Sequence, residues 1–162
     1  MTNEETLEQY TIMPDELVAA LAGLSDSDLD LKRKDDAWTI RQIAHHIVDA
    51  DEMTKTIIKA ALGDSGCAFG LEWYDPNNKW ATTLQYAARP VEPAIEVLRA
   101  NHREMEELLR SLDDCWARYV LLKRFKDSDV RELTVSQLIQ SQTSHAFHHI
   151  EQIRETRLAH GL

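Results

Sequence analysis

The stretch "LTVSQLIQSQTSHAFHHIEQIRETRLAH" (residues 133–160) decides the fold. Thr134 followed by Gln137 is a capping box, in which each side chain satisfies a backbone N–H of the other at a helix start. Apolar residues then recur at helical spacing through Val135, Leu138, Ile139, Ala146, Ile150 and Ile153. The pattern predicts one long helix from Thr134 to about His160, stopped before Gly161. At about 100° per residue, His145 and His149 fall within about 60° of the centre of that stripe, one turn apart. Gln142 lies one turn before them, and His148 points outward.

A second Thr-x-x-Gln box, Thr39 and Gln42 in "WTIRQ", starts a helix that continues to about Leu62 and ends at Gly63. Two further helices are expected at residues 14–22, with Pro14 in the first turn and Gly23 as the stop, and at about residues 93–112. Gly (5) and Pro (4) are scarce, as an all-α domain requires. The expected architecture is a four-helix bundle in a single domain over residues 1–162. The intervening segments 24–38, 63–91 and 113–133 are long for bundle loops. Such loops form lids or pocket walls, and "ARYVLLKRF" (117–125) is a candidate short strand within the last of them.

Lys and Arg number 18 against 28 Asp and Glu, for a net charge of -10, and no basic cluster stands out. Nucleic-acid binding is therefore disfavoured. Cys67 and Cys115 form no CxxC pair, which argues against a disulfide scaffold. The start "MTNEETLEQY" lacks the basic and apolar regions of a signal peptide. The apolar run "LVAALAGL" (17–24) is too short to cross a membrane. A cytoplasmic protein is expected.

On the Thr39-capped helix the stripe is Ile40, Ile43, Ala44, Ile47, Thr54 and Ile58. His46 lies at its border, His45 points nearly opposite towards solvent, and Asp51 falls inside the stripe. On the third helix His102 shares a line with Ile95, Leu98, Met105, Leu109 and Leu112. Two readings of this geometry stand side by side. Each histidine can be a core residue bonded to a backbone carbonyl. Alternatively, an i, i+4 pair with one histidine from another helix makes a three-nitrogen face that holds a divalent metal and leaves a position open. The absence of Glu-x-x-His, HExxH, a Gly-rich phosphate loop and a Gly-x-Ser-x-Gly elbow removes the common competing site chemistries.

"DAWTIRQIAHHIVDAD" (36–51), followed about a hundred residues later by "SHAFHHIEQI" (144–153), resembles the DinB/YfiT-like superfamily of metalloenzymes. "NHREMEELLRSL" (101–112) resembles its YfiT branch, which comprises metal-dependent hydrolases and bacillithiol S-transferases. The resemblance spans about residues 14–155, more loosely over 63–91 and 113–133. It implies a four-helix bundle with an atypical connection order, often a homodimer, and a metal, zinc or nickel, held by His46, His145 and His149. Where many members follow the last histidine with Arg-Gly-Gln, this chain has Ile150-Glu151-Gln152, keeping only the glutamine.

A metal with an open position activates water, giving a hydrolase, or a low-molecular-weight thiol, giving an S-transferase of small molecules. His102 is then a general base, a substrate contact or a fourth ligand, or simply a hydrogen-bonded core histidine. Asp51 is a base or orients a ligand imidazole, or is bonded to a loop at the bundle end. Asp49 is expected to be a surface charge, and Trp38 to staple the helix start or wall the pocket. Trp73 and Tyr74 are expected to pack in the core, with substrate contact as the alternative. Two non-catalytic readings remain: a metal-stabilised stress-response or binding module closed by His102, and a metal-free polar network among His46, His145, His149 and Gln142.

Overall fold

The computed structural model describes residues 2–74 and 78–162. Four long helices form the bundle: α1 (Asn3–Leu21), α2 (Ile40–Gly63), α4 (Glu92–Ser111) and α5 (Val135–Ala159), with a short α3 (Asn78–Thr83) between α2 and α4. Both Thr-x-x-Gln boxes form as expected, at Thr39 and Thr134, and Gln42 and Gln137 reach back to the cap N–H groups at 2.9 Å.

α1 differs from expectation. It starts eleven residues earlier than Pro14, at a capping box made by Thr2 and Glu5. Pro14 is interior to the helix. It has no N–H to give the carbonyl of Tyr10 four residues before it. That carbonyl instead accepts from Nδ1 of His102 on α4, at 2.8 Å.

α1 packs on α4 and α5, and α2 on α5 and α4, so consecutive helices α1 and α2 occupy opposite corners. This order needs long crossovers, and the loops supply small elements of their own. Besides the all-α frame there is a three-stranded sheet of β1 (Ala68–Gly70), β2 (Tyr119–Lys123) and β3 (Arg131–Thr134). β1 runs parallel to β2, with Phe69 opposite Leu122, and β2 pairs antiparallel with β3, with Val120 opposite Leu133. β2 falls within the stretch that reads as a possible strand; β1 and β3 lie outside it.

The core divides in two. One cluster gathers Leu7, Ile58, Met105, Val120 and Ile139; the other gathers Met13, Leu17, Ile43, Leu98 and Ile150. Each fully buried aliphatic side chain contributes roughly 1.5–3 kcal/mol. Between the clusters, at matching heights on their helices, lie the buried polar residues Asp51, His102, Gln142 and Thr143. Among the described residues no helix is long and apolar enough to cross a membrane.

Candidate metal centre

The segment that leads into α2 is pinned at both ends. Ile40 N–H donates to Leu31 O at 3.1 Å and Lys32 bridges to Thr39, closing the loop 31–40. Arg41, one residue into the helix, is buried and pairs with Asp26 (2.8 Å) and Asp30 (2.9 Å), tying the preceding segment down. The next turn of α2 delivers His46 towards α5.

There His46 meets His145 and His149. Nε2 of His145 lies 3.1 Å from Nε2 of His46 and 3.1 Å from Nε2 of His149. Three nitrogens bound to one ion at 2.0–2.1 Å in tetrahedral directions would be about 3.3–3.4 Å apart, so these two pairs already stand close to ligating geometry, and all three ligand atoms lie within 4.8 Å of one another. Burial drives the His46 imidazole pKa down to about 3, with its two neighbours adding to the effect. Burial, then His149 and Arg124, lower His145 to about 4. His149 is lowered too, by burial, although its bond to Gln152 opposes the shift. All three are therefore neutral at pH 7, the state in which imidazole ligates.

Gln152 sets the tautomer of His149. Its Oε1 accepts from Nδ1 at 3.0 Å, which leaves the lone pair on Nε2, facing the other two rings. The Gln152 amide N–H donates in turn to the exposed His148 at 2.9 Å. Nδ1 of His46 is buried and has no hydrogen-bond partner among the described residues. A hydrogen bond from one ring to a second cannot also satisfy the third, whereas a cation can accept all three lone pairs. The donor set fits a divalent metal. Gln142 lies outside this group and accepts from Thr54 at 3.3 Å, so a network joining it to the three histidines does not form.

The three rings line one side of a cavity of about 600 Å³ whose other walls include Arg33, Lys34, Asp36, Trp38, Ile43, Gln152 and Thr156. Trp38 is half-buried and meets His46 edge to face at a centroid separation of 4.8 Å. It forms part of the cavity wall.

His102 and Asp51 do not line that cavity. His102 stacks on Tyr10 (centroids 3.8 Å apart), and its Nε2 lies 3.0 Å from Asp51 Oδ1. Both of its ring nitrogens are engaged elsewhere, so neither is directed at the three-histidine group. Because Nδ1 must donate to the Tyr10 carbonyl, the Nε2–Oδ1 contact holds one shared proton: the pair is either imidazolium with carboxylate, or neutral imidazole with carboxylic acid.

Two outward assignments are corrected. His45 is buried, and its Nε2–H donates to Arg89 O at 3.2 Å. Asp49 is half-buried and accepts from Trp80 Nε1 at 3.0 Å and from the Tyr86 hydroxyl. In both cases the segment from α3 to residue 91 folds against the side of α2 that its own stripe leaves free. Tyr74 packs against the core as expected, while Trp73 is exposed. Gln152, Arg33 and Lys34 were not singled out from the sequence as site residues. The signal for Gln152 was available, since it follows His149 at i+3 on one helix face.

Comparison with known proteins places the chain in a family. A "Putative metal-dependent hydrolase" of Geobacillus thermodenitrificans is 29% identical over 150 residues, which is 92% of this chain and 80% of that protein. A protein of the same description from Bacillus cereus is 28% identical over 151 residues, 93% of this chain and 83% of that one. Among solved structures, YfiT from Bacillus subtilis is described as "a probable metal-dependent hydrolase with an unusual four-helix bundle topology". It superposes with a TM-score of 0.85 at 24% identity, over 98% of this chain and 87% of that one. A mycothiol-dependent maleylpyruvate isomerase superposes with a TM-score of 0.68 at 11% identity, covering 94% of this chain and 61% of that one. At these identities the two structures speak to the fold. The family model of the DinB superfamily matches residues 9–153, and the chain belongs to that superfamily.

Proposed function

We propose that the protein is a divalent-metal-dependent hydrolase of small molecules, in which His46, His145 and His149 hold one zinc or nickel ion through Nε2. The observation that carries this reading is the convergence of three neutral imidazole nitrogens, two contacts of 3.1 Å, on the wall of an open cavity. The description of its relatives as metal-dependent hydrolases supports it. An ion on three neutral ligands with a position left open supplies a nucleophile from water near neutral pH.

The chain's own residues do the rest. Gln152 keeps the His149 lone pair on Nε2, Trp38 and Ile43 form the apolar side of the cavity, and the pinned loop 31–40 holds that wall in place. His102 and Asp51 act as a buried strut between helices rather than on the substrate. A closed structural site would need a fourth protein donor. Among the described residues only these three form a group that can hold an ion.

The test is metal content by plasma mass spectrometry on wild type and a His145→Ala/His149→Ala variant, with hydrolysis of small esters and amides measured on metal-free and reloaded protein. About one equivalent in wild type, lost in the variant, with turnover that follows the metal, is the expected result. No metal after loading with zinc or nickel salts would defeat the reading. Turnover that appears only with an added small thiol would replace hydrolysis by thiol transfer.

A further inference from the structure

We infer that the substrate of the three-histidine cavity is a small organic anion, recognised through its negative group by Lys34 and Arg33 at the cavity wall. The inference rests on the metal-dependent reading above and names the substrate class for that site.

The chain as a whole is acidic, with 18 cationic side chains against 28 anionic ones. The cavity reverses that balance. Its charged lining residues are Arg33, Lys34 and Asp36, two cations to one anion. The three histidines are neutral ligands, so a divalent ion held by them keeps its full charge, where carboxylate ligands would cancel part of it. The lining charges then sum to about +3, and Glu155, which pairs with Arg33 from outside the lining, brings the total to about +2.

Arg33 and Lys34 already have acidic neighbours, and these decide whether a ligand can compete. Arg33 pairs with Glu155 at 2.6 Å and Lys34 with Asp36 at 3.5 Å, but all four side chains are at least a third exposed. Exposed ion pairs contribute about 0–1 kcal/mol each, so an anion that also gains contact with the metal displaces them readily. The backbone that carries these cations is fixed at the cavity mouth, while their exposed side chains remain able to reorient onto a ligand. Their loop is closed at its base by the Leu31–Ile40 hydrogen bond and the Lys32–Thr39 bridge. Guanidinium presents a planar fork to an oxyanion and ammonium a mobile point charge, and together they accept a carboxylate or a phosphate.

The experiment compares wild type with Lys34→Glu and Arg33→Glu, after metal content has been measured on each. Succinate and methyl phosphate are titrated into metal-loaded protein by calorimetry, with succinamide as the neutral control. Two esters, 4-nitrophenyl acetate and mono-4-nitrophenyl succinate, report turnover. Wild type is expected to bind at least one of the anions about tenfold or more tightly than succinamide, and whichever binds identifies the carboxylate or the phosphate as the recognised group. Each charge reversal is expected to weaken that binding about tenfold or more and to lower the anionic-to-neutral ratio of kcat/KM. Equal binding of anions and succinamide by wild type overturns the inference, as does anion binding that the reversals leave within twofold. If neither ester turns over, the hydrolase reading fails while the binding titrations still decide the anion site.

Discussion

Replacing Gln152 by Leu removes the oxygen that fixes the His149 ring and changes little else. The Nδ1–Oε1 bond is 3.0 Å long, and the other bond that Gln152 makes, to His148, is on the surface. In metal sites, loss of the partner that orients a ligating imidazole typically costs 10–100-fold in metal affinity, which corresponds to about 1.4–2.7 kcal/mol. Without the acceptor, His149 is free to carry its proton on Nε2, and each ion bound must first drive that proton back to Nδ1. The assay is zinc affinity at pH 7.5, measured by competition with a chromophoric chelator, for wild type, Gln152→Leu and Gln152→Glu. The leucine variant is expected to bind 10–100-fold more weakly. The glutamate variant keeps an acceptor and adds charge to it, so its affinity should equal or exceed that of wild type. Metal-free Gln152→Leu should melt within about 2–4 °C of wild type, since one hydrogen bond is worth about 1 kcal/mol to the fold. A leucine variant within twofold of wild type, or a glutamate variant as weak as leucine, refutes the orienting role.

Breaking the buried His102–Asp51 pair from either side should be costly, because the partner is left buried and uncompensated. Asp51→Leu and His102→Leu are each expected to lose about 3–5 kcal/mol, or roughly 6–20 °C in Tm. The double variant should lose less than the sum, and single losses below about 1 kcal/mol would show that no proton is shared there. Metal-free protein should also weaken in acid. His46 and His145 titrate at about 3 and about 4 in the folded chain against about 6.5 when unfolded, so the unfolded chain binds more protons throughout that interval. Stability is therefore complete above about pH 7.5 and declines as pH falls from about 6.5 towards 4. Urea midpoints between pH 8 and pH 4.5 should fall more steeply for wild type than for His46→Leu/His145→Leu, and parallel curves would contradict the assigned shifts.

The helices that carry the site were legible because their starts are encoded locally. Thr39 and Thr134 each have a glutamine three residues on, and each is followed by an uninterrupted apolar stripe. The same stripes brought His145 and His149 inward and His46 to the border, which is where the structure has them converge. α1 was misjudged because Pro14 looks like a first-turn residue. What makes it tolerable inside a helix is a donor on α4, eighty-eight residues away, which periodicity cannot reveal. His45 and Asp49 failed for a related reason. A helical wheel records only which face is apolar, and the covering of the opposite face by Trp80, Tyr86 and the Arg89 backbone depends on a crossover with little period of its own. β3 (Arg131–Thr134) is four residues long and largely exposed, too short for alternation to register.

The carbonyl that Pro14 leaves without a helical donor has a further consequence. A smooth apolar seam between two helices tolerates sliding, since one leucine replaces another at little cost. A polar acceptor in the middle of that seam does not. A shift of α1 by a single residue would carry the Tyr10 oxygen about 1.5 Å along the axis and about 100° around it, out of reach of His102. Because the same imidazole also grips Asp51, the mark on α1 is read by α4 and passed on to α2, on which Asp51 sits five positions after His46. The missing N–H of one proline thereby indexes three helices against one another and sets the height at which His46 is presented to α5.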